Sequence, residues 1–304
     1  MIKATENFVI HLQKIAQNDI VSLFMGNQLY SLLDICVLIP CHNNIQGLID
    51  SIKSINYNHQ QFLVLVVDDG SFEAVTRSTL YQHLPASINI QLIRLQQNLG
   101  ITKALNEGLE FIYANFHARF IARLDCGDIC HPARFYKQIA FLENNPDTDL
   151  LGTWCYFKDA DTGVAYEYIT PTVHGLIERS MYFRNVFVHP TVMWRVKSLS
   201  GYRYPEKYPH AEDYGLFYDI ILHKKSAIIN EFLVTCEINK GGISFQNRTK
   251  QLKSRLKVIW DYGKNKLWVA AGTVKLAMLL TLPYRLIYRI KQQMYRYKPI
   301  TRSA

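Results

Sequence analysis

The most constraining feature of this chain is a series of short apolar runs, each stopped by polar or acidic residues and separated by stretches with helical spacing. Ile35–Pro40 reads ICVLIP, and Ile45, Leu48, Ile49, Ile52 and Ile55 then fall on one helical face. Phe62–Val67 (FLVLVV) stops at Asp68-Asp69-Gly70-Ser71. Ile90–Leu95 is a third run, and Asn98-Leu99-Gly100 opens a helical stretch over Ile101–Phe116. Phe120–Leu124 is a fourth run, stopped by Asp125. A strand that is apolar throughout needs cover on both faces, and strands alternating with helices pair in parallel. The pattern from residue 35 to about 125 therefore predicts an α/β, doubly wound unit with helices on both faces of its sheet. Ligands of such sheets sit beyond the carboxyl ends of the strands. That is where this chain places Asn43 and Asn44, Asp68 and Asp69, and Asp125 and Asp128.

Composition narrows the class. The 304 residues are 49% hydrophobic and 19% charged, which is globular rather than disordered. A mean hydropathy of -0.05 excludes a polytopic membrane protein. Neither GxGxxG nor GxxxxGK[ST] occurs, so any phosphate must be met by a metal or by cationic side chains. The six cysteines, Cys36, Cys41, Cys126, Cys130, Cys155 and Cys236, form no CxxC pair. Cys126, Cys130 and His131 lack a second ligand cluster, so free thiols in a reducing cytoplasm are expected rather than a zinc site. The N-terminus has no secretory pattern. Phe8, Val9, Leu12, Ile15 and Ala16 recur at helical spacing and predict an amphipathic helix packed on the domain.

Charge is concentrated at the other end. The net charge is +9, yet residues 246–304 hold 14 Lys and Arg against one acidic residue, Asp261. The preceding chain is therefore slightly acidic. Leu267–Leu282 is apolar apart from Lys275 and two threonines, but its 16 residues fall short of the roughly 20 that span a bilayer. Beyond Pro283, tyrosines and aliphatic residues mix with Arg285, Arg289, Lys291, Arg296 and Lys298. This combination fits a helix lying on an anionic membrane surface. A helix packed on the domain is the alternative. No nucleic-acid module is present, so nucleic acid is not an expected partner.

Six motifs follow one another: Val37-Leu38-Ile39-Pro40-Cys41-His42-Asn43; Val67-Asp68-Asp69-Gly70-Ser71; Asn98-Leu99-Gly100 with Lys103-Ala104-Leu105-Asn106; Arg123-Leu124-Asp125-Cys126-Gly127-Asp128 with Pro132 and Arg134-Phe135; His189-Pro190-Thr191-Val192-Met193; and Glu212-Asp213-Tyr214. In this order, over about residues 35–245, they resemble the family 2 glycosyltransferases with the GT-A fold. The resemblance implies a single Rossmann-like, doubly wound mixed sheet over 35–245. It leaves 1–34 as an N-terminal helical extension and 246–304 as a basic, apolar, membrane-associating tail.

It also implies transfer of a sugar from a nucleoside diphosphate with inversion at the anomeric carbon. Pro40, His42, Asn43 and Asp69 would then bind the nucleotide-sugar, Asp69 accepting from a uracil N–H and His42 stacking on the base. Lys103 matches a position that faces the nucleotide. The acidic run of the family commonly reads Asp-Ala-Asp-Asp, and Gly127 stands here at its third, metal-binding position. Asp128 would supply the ligand to Mn²⁺ or Mg²⁺, with Asp125 on the ribose or on a metal-bound water. Cationic side chains such as Lys103 are the alternative. Asp213 would be the base that takes the proton from the acceptor hydroxyl. Glu212, the fallback base, and His189 would line the acceptor side.

The function expected on this basis is an inverting hexosyltransferase using a UDP-sugar, glucose or galactose favoured. Its acceptor would be a lipid-linked saccharide such as GlcNAc-diphospho-undecaprenol, in O-antigen, lipopolysaccharide or capsule synthesis. The location would be peripheral, on the cytoplasmic face of the bacterial inner membrane. Gly127 keeps a non-catalytic nucleotide-sugar or carbohydrate-binding relative as the rival. A nucleotidyltransferase is disfavoured because no Gly-rich basic loop follows the first strand.

Overall fold

A computed structural model of the chain describes residues 32–57, 61–238 and 247–282. The helix expected over Phe8–Ala16, the basic residues beyond Pro283 and the boundary at 245/246 lie outside the described residues. The first half alternates as the apolar runs require: β1 Leu33–Cys41, α1 Ile45–Lys53, β2 Phe62–Asp68, α2 Arg77–Tyr81, β3 Ile90–Arg94, α3 Ile101–Asn115 and β4 Ala118–Arg123. These strands are parallel in the order β3-β2-β1-β4.

The second half, whose strands the sequence did not display, turns the sheet into a mixed one. It runs β5 Ile129–Cys130, α4 Arg134–Asn144, β6 Thr148–Asp159, β7 Ala165–Tyr168, α5 His174–Met181, a 3₁₀ turn His189–Thr191, β8 Met193–Arg195, α6 Val196–Leu199, α7 Glu212–His223 and β9 Lys225–Ile238. Beyond β4 the order is β8-β6-β9-β5, with β7 on β6. The short β8 is antiparallel to both β4 and β6. The architecture is the α/β, doubly wound mixed sheet that the motifs led us to expect.

The two faces of the sheet hold separate cores, as the period of two demands. Ile35, Val37, Ile39, Val64 and Val66 lie on one face under Leu48 and Ile52 of α1 and Phe135 and Leu142 of α4. Cys36, Leu38, Leu63, Leu65 and Val67 lie on the other under Leu105, Leu109 and Ile112 of α3 and Phe217 of α7. Every residue of β2 is buried. Each such aliphatic side chain contributes about 1.5–3 kcal/mol of burial.

Two further helices, α8 Arg248–Tyr262 and α9 Lys266–Thr281, follow. The apolar run that could have lain wholly on a membrane is packed on the domain along a narrow face. A Cβ on Gly272 would come within 2.2 Å of the Tyr182 carbonyl oxygen, so only glycine allows this approach. Leu276 is buried beside it, whereas Leu267, Val274 and Met278 remain exposed. Among the described residues no helix is long and apolar enough to cross a membrane.

The turn after β2 fixes the loops that meet at the strand ends. The buried Asp68 carboxylate accepts from the backbone N–H of Ser71 at 3.0 Å and of Val75 at 3.1 Å, and from Arg94 Nη1 at 2.9 Å. Gly70 has φ +64, and a Cβ there would fall 2.3 Å from the carbonyl carbon of Gln97. Asp68→Ala removes the acceptor from two buried N–H groups and a guanidinium. It is expected to lower stability by about 2–4 kcal/mol. Urea denaturation reads this as a lower midpoint at unchanged slope; a loss under about 0.5 kcal/mol would show that these bonds do not hold the turn.

Candidate active site

Three loops meet beyond the carboxyl ends of β1, β2 and β4. His42 joins the first two: its Nδ1–H donates to the Asp69 carbonyl at 2.9 Å, while the side-chain amides of Asn43 and Asn98 donate to Nε2 at 3.0 Å each. Two amide donors at Nε2 make that nitrogen the acceptor and Nδ1 the donor. Asn43 adopts φ +52, which asparagine tolerates, and its Oδ1 accepts from the Phe72 N–H at 2.8 Å. Pro40 adds a tie to the β4 loop, its carbonyl accepting from the Cys126 thiol at 3.2 Å.

Asp69 ties in a further loop, the one after β3. Its two carboxylate oxygens accept from the backbone N–H of Leu99 at 2.8 Å and of Gly100 at 2.9 Å, which sets the start of α3. Lys103, in the first turn of that helix, is exposed at the same edge. The carboxylate expected to meet a uracil N–H is thus engaged with the chain itself. The open surface here belongs to the exposed His42 ring and to Phe72, which is 93% exposed with its centroid 6.5 Å from His42. Motif matching did not single out Phe72 or Asn98 as site residues; the signal was their position in the VDDGS and NLG loops.

The end of β4 is built on a buried cation. Arg123 donates to the carbonyls of Leu38 and Leu124, to Asp125 Oδ1 at 2.5 Å and to His189 Nε2 at 3.2 Å. His189 also accepts from the Tyr204 hydroxyl at 2.8 Å. Burial, reinforced by the Arg123 charge, pushes the His189 pKa down to about 3, so the ring is a neutral acceptor at ordinary pH. The sequence reading put His189 on the acceptor side; the structure sets it behind the Arg123–Asp125 pair. Arg134, also buried, donates to the Arg123 carbonyl at 2.8 Å.

Asp125 and Asp128 face different ways. The Asp125 side chain is 33% exposed. Asp128 is 6% exposed, and its Oδ1 accepts from the Glu237 N–H of β9 at 2.9 Å. Burial, and secondarily Asp125, raise the Asp128 carboxyl well above the usual range. Asp128, the expected metal ligand, is therefore turned inward as a brace between the β4 loop and β9. The turn between them is fastened to α1, with Ser51 Oγ donating to the Asp125 carbonyl and accepting from the Gly127 N–H. Gly127 has φ +98, a conformation that suits glycine and not aspartate.

Among the described residues no group of three or more His, Cys, Asp or Glu could hold a metal. Asp125 has an exposed portion and would be the protein's one carboxylate ligand to a hard divalent cation whose other ligands came from phosphate and water. That is a common arrangement for Mg²⁺.

The third part of the site is the start of α7. Asp213 Oδ2 accepts from Asn185 Nδ2 at 2.8 Å, and its Oδ1 accepts from the Tyr214 N–H at 2.7 Å. Asn185 is oriented in turn by the Phe187 N–H on its Oδ1 at 3.1 Å. Burial raises the Asp213 carboxyl, while the Tyr214 N–H, Arg255 and Asn185 oppose the rise. The adjacent Glu212 is buried and is pushed up to about 7, by burial first and by the Asp213 charge second. Asn185, Tyr204 and Arg255 are site residues that sequence reasoning missed. Arg255 lies in the segment read as a membrane tail, and no local pattern connects it with Asp213.

A family model described as Glycosyl transferase family 2 matches residues 36–203. An uncharacterised glycosyltransferase of Methanocaldococcus jannaschii is 30% identical over 224 residues, covering 71% of this chain and 74% of that protein. The amylovoran biosynthesis glycosyltransferase AmsE of Erwinia amylovora is 29% identical over 191 residues, covering 61% of this chain and 68% of its own length. Among solved structures, S. aureus TarS 1-349 in complex with UDP-GlcNAc superposes with a TM-score of 0.61 at 17% identity, covering 79% of this chain and 72% of that one. At that identity the likeness is one of fold.

Gly127→Asp restores the acidic run but places a side chain at φ +98. It is expected to cost about 1–3 kcal/mol, seen as a thermal midpoint about 2 °C or more below the parent. An unshifted midpoint would show that the turn accepts a side chain.

Proposed function

The chain belongs to glycosyl transferase family 2 and has the GT-A fold, and from that premise we propose that it moves a hexose from a UDP-sugar, glucose or galactose favoured, to a lipid-linked saccharide with inversion. The observation that carries the reading is Asp213: a half-buried carboxylate, aimed by Asn185 and the Tyr214 N–H, whose proton affinity is raised by burial. Such a group can take a proton from an alcohol as the alcohol attacks.

The roles divide along the site. The loops held by His42, Asn43, Pro40 and Asp69, with Phe72 beside them, receive the nucleoside, and Lys103 lies toward its phosphates. The acceptor oxygen attacks the anomeric carbon while Asp213 removes its proton. The bond to the diphosphate breaks on the opposite face, and the nucleoside diphosphate departs. Mn²⁺ or Mg²⁺, held by Asp125, would neutralise the charge on the leaving diphosphate. Asp128 and His189 support this arrangement from behind. Past residue 245, α8 sets Arg255 5.8 Å from the Tyr214 ring centroid, where its charge opposes the rise of the Asp213 carboxyl.

Each finer element has its own support. TarS in complex with UDP-GlcNAc supports a UDP-sugar donor. The relative named for amylovoran biosynthesis supports a saccharide acceptor of polysaccharide synthesis, here GlcNAc-diphospho-undecaprenol for O-antigen, lipopolysaccharide or capsule. The exposed Leu267, Val274 and Met278, one to two turns apart on α9, together with the basic residues of 246–304, support peripheral attachment to an anionic membrane at the cytoplasmic face. The rival reading, a nucleotide-sugar-binding relative without turnover, rests on Gly127 and the inward Asp128.

The test is UDP release from a panel of UDP-hexoses, with and without a chelator, in the presence of a diphospholipid-linked GlcNAc. Donor binding without UDP release would favour the rival. Asp213→Asn is expected to lower kcat about 10²–10⁴-fold while donor Kd stays within about threefold; retention of more than about a tenth of parental turnover would remove Asp213 as base.

The membrane element is tested without deleting α9, since deletion would strip the packed Gly272 face. The triple change Leu267→Glu, Val274→Glu and Met278→Glu is expected to cut co-sedimentation with phosphatidylglycerol vesicles about tenfold or more at an unchanged melting point. Equal binding by both proteins would show that this face is not the anchor.

A further inference from the structure

All six cysteines are free thiols, and five of them are buried. Cys126 is the exception: it is half-buried, in the turn after β4. The parallel register of β1 and β4 pairs Val37 with Ala122 and Leu38 with Arg123. It continues past those residues, since the Leu124 N–H donates to the Leu38 carbonyl at 3.3 Å and the Cys126 thiol donates to the Pro40 carbonyl at 3.2 Å. Carried on in step, this register sets Cys41 opposite Cys126. Both side chains fall on the face of the sheet that carries Ile39 and Leu124. Asn44 fastens the same two residues. Its carbonyl accepts from the Cys41 thiol at 3.7 Å, and its side-chain amide donates to the Cys126 carbonyl at 3.5 Å. The two thiols are within hydrogen-bond reach of each other.

Geometry decides which thiols can bridge. Neighbouring strands lie about 4.8 Å apart, inside the roughly 4.4–6.8 Å between Cα atoms that a disulfide spans. Cys155 of β6 and Cys236 of β9 also touch, but their register offsets them: Cys155 pairs with Val234 and Cys236 with Phe157, and both are buried. Cys36 lies on the opposite face of the sheet. Cys130 is buried and accepts from Arg134 at 3.2 Å. Among the six, the Cys41–Cys126 pair alone combines direct opposition with a route from solvent.

We propose that Cys41 and Cys126 form a reversible disulfide that switches the donor side of the site, with hydrogen peroxide as oxidant and a dithiol as reductant. Each thiol gives up a proton and an electron, and the S–S bond forms. The peroxide O–O bond breaks and two molecules of water leave. A dithiol reverses the step by exchange and is itself oxidised to a disulfide. In a reducing compartment such bridges are transient and redox-sensing. The bridge joins the segment that carries Pro40, His42 and Asn43 to the turn that carries Asp125. An S–S bond of about 2.05 Å is shorter than any contact between thiols. Its formation draws the two segments together and takes from the Pro40 carbonyl its thiol donor. Loss of donor binding follows, a consequence that rests on the transfer reading above; the bridge itself does not.

The test treats the full chain with hydrogen peroxide, unfolds it in N-ethylmaleimide and maps its peptides by mass. The parent is expected to yield two peptides joined through Cys41 and Cys126, with Cys36, Cys130, Cys155 and Cys236 carrying the maleimide. C41S and C126S, altered on opposite sides of the pair, are each expected to give no bridge. Serine keeps a donor for the Asn44 or the Pro40 carbonyl, so either variant serves if the other fails to fold. UDP binding is followed by calorimetry alongside. The oxidised parent is expected to bind UDP about tenfold or more weakly than the reduced parent, and to recover with dithiothreitol. Peroxide is expected to leave the UDP affinity of C126S where it stood before treatment.

Maleimide on all six cysteines after peroxide overturns the proposal. So does a bridge between any other pair, or oxidation confined to Cys126 as a sulfinic acid. A Cys41–Cys126 bridge that leaves UDP affinity unchanged overturns it as a switch. If the reduced parent binds no UDP, the donor reading beneath it falls, an outcome distinct from the others because the peptide map still decides the bridge.

Discussion

The end of the site at β4 depends on one buried cation. A guanidinium taken out of water costs several kcal/mol unless its donors are matched. Arg123 is matched on every side: two carbonyls, one carboxylate and one imidazole. These partners come from β1, the end of β4 and the 3₁₀ turn at His189. Satisfying one charge thus fixes three segments together and sets the direction of Asp125. It also explains why His189 is held neutral, because an imidazolium beside Arg123 would have no acceptor to offer it.

Six carboxylates sit close to the sheet edge, and burial assigns them different work. Asp68 and Asp69 are occupied by backbone N–H groups and shape the loops. Asp128 braces β9. Asp125, held from one side by Arg123, retains an exposed portion. Asp213 and Glu212 are both raised by burial, and Glu212 also by the Asp213 charge. Residue type is nearly the same at all six positions. The difference lies in how many donors the fold directs at each.

The last two described helices join surface to site. α8 brings Arg255 over the Tyr214 ring, 5.8 Å from its centroid, and stacks Tyr262 on Tyr218 of α7, with ring centroids 5.9 Å apart. α9 closes on Tyr182 through Gly272 and leaves an apolar stripe outside. A segment that looks like an appendage in composition is part of the wall around the candidate base.

The sequence by itself determined the parallel half of the fold. Runs such as ICVLIP and FLVLVV have no polar face, so they had to be interior strands, and the polar residues after them had to gather at one edge. It also determined which residues gather there, because order along the chain fixes the strand ends. The tertiary structure alone decided what each does. Strands β6 and β9 carry mixed faces and a broken mutual register, and β8 is only three residues long, so periodicity did not announce them. The Asp128 bond to Glu237, the His189 bond to Arg123 and the approach of Arg255 to the Tyr214 ring are all contacts between segments distant in sequence. Such contacts are set by packing and desolvation, which local pattern does not encode.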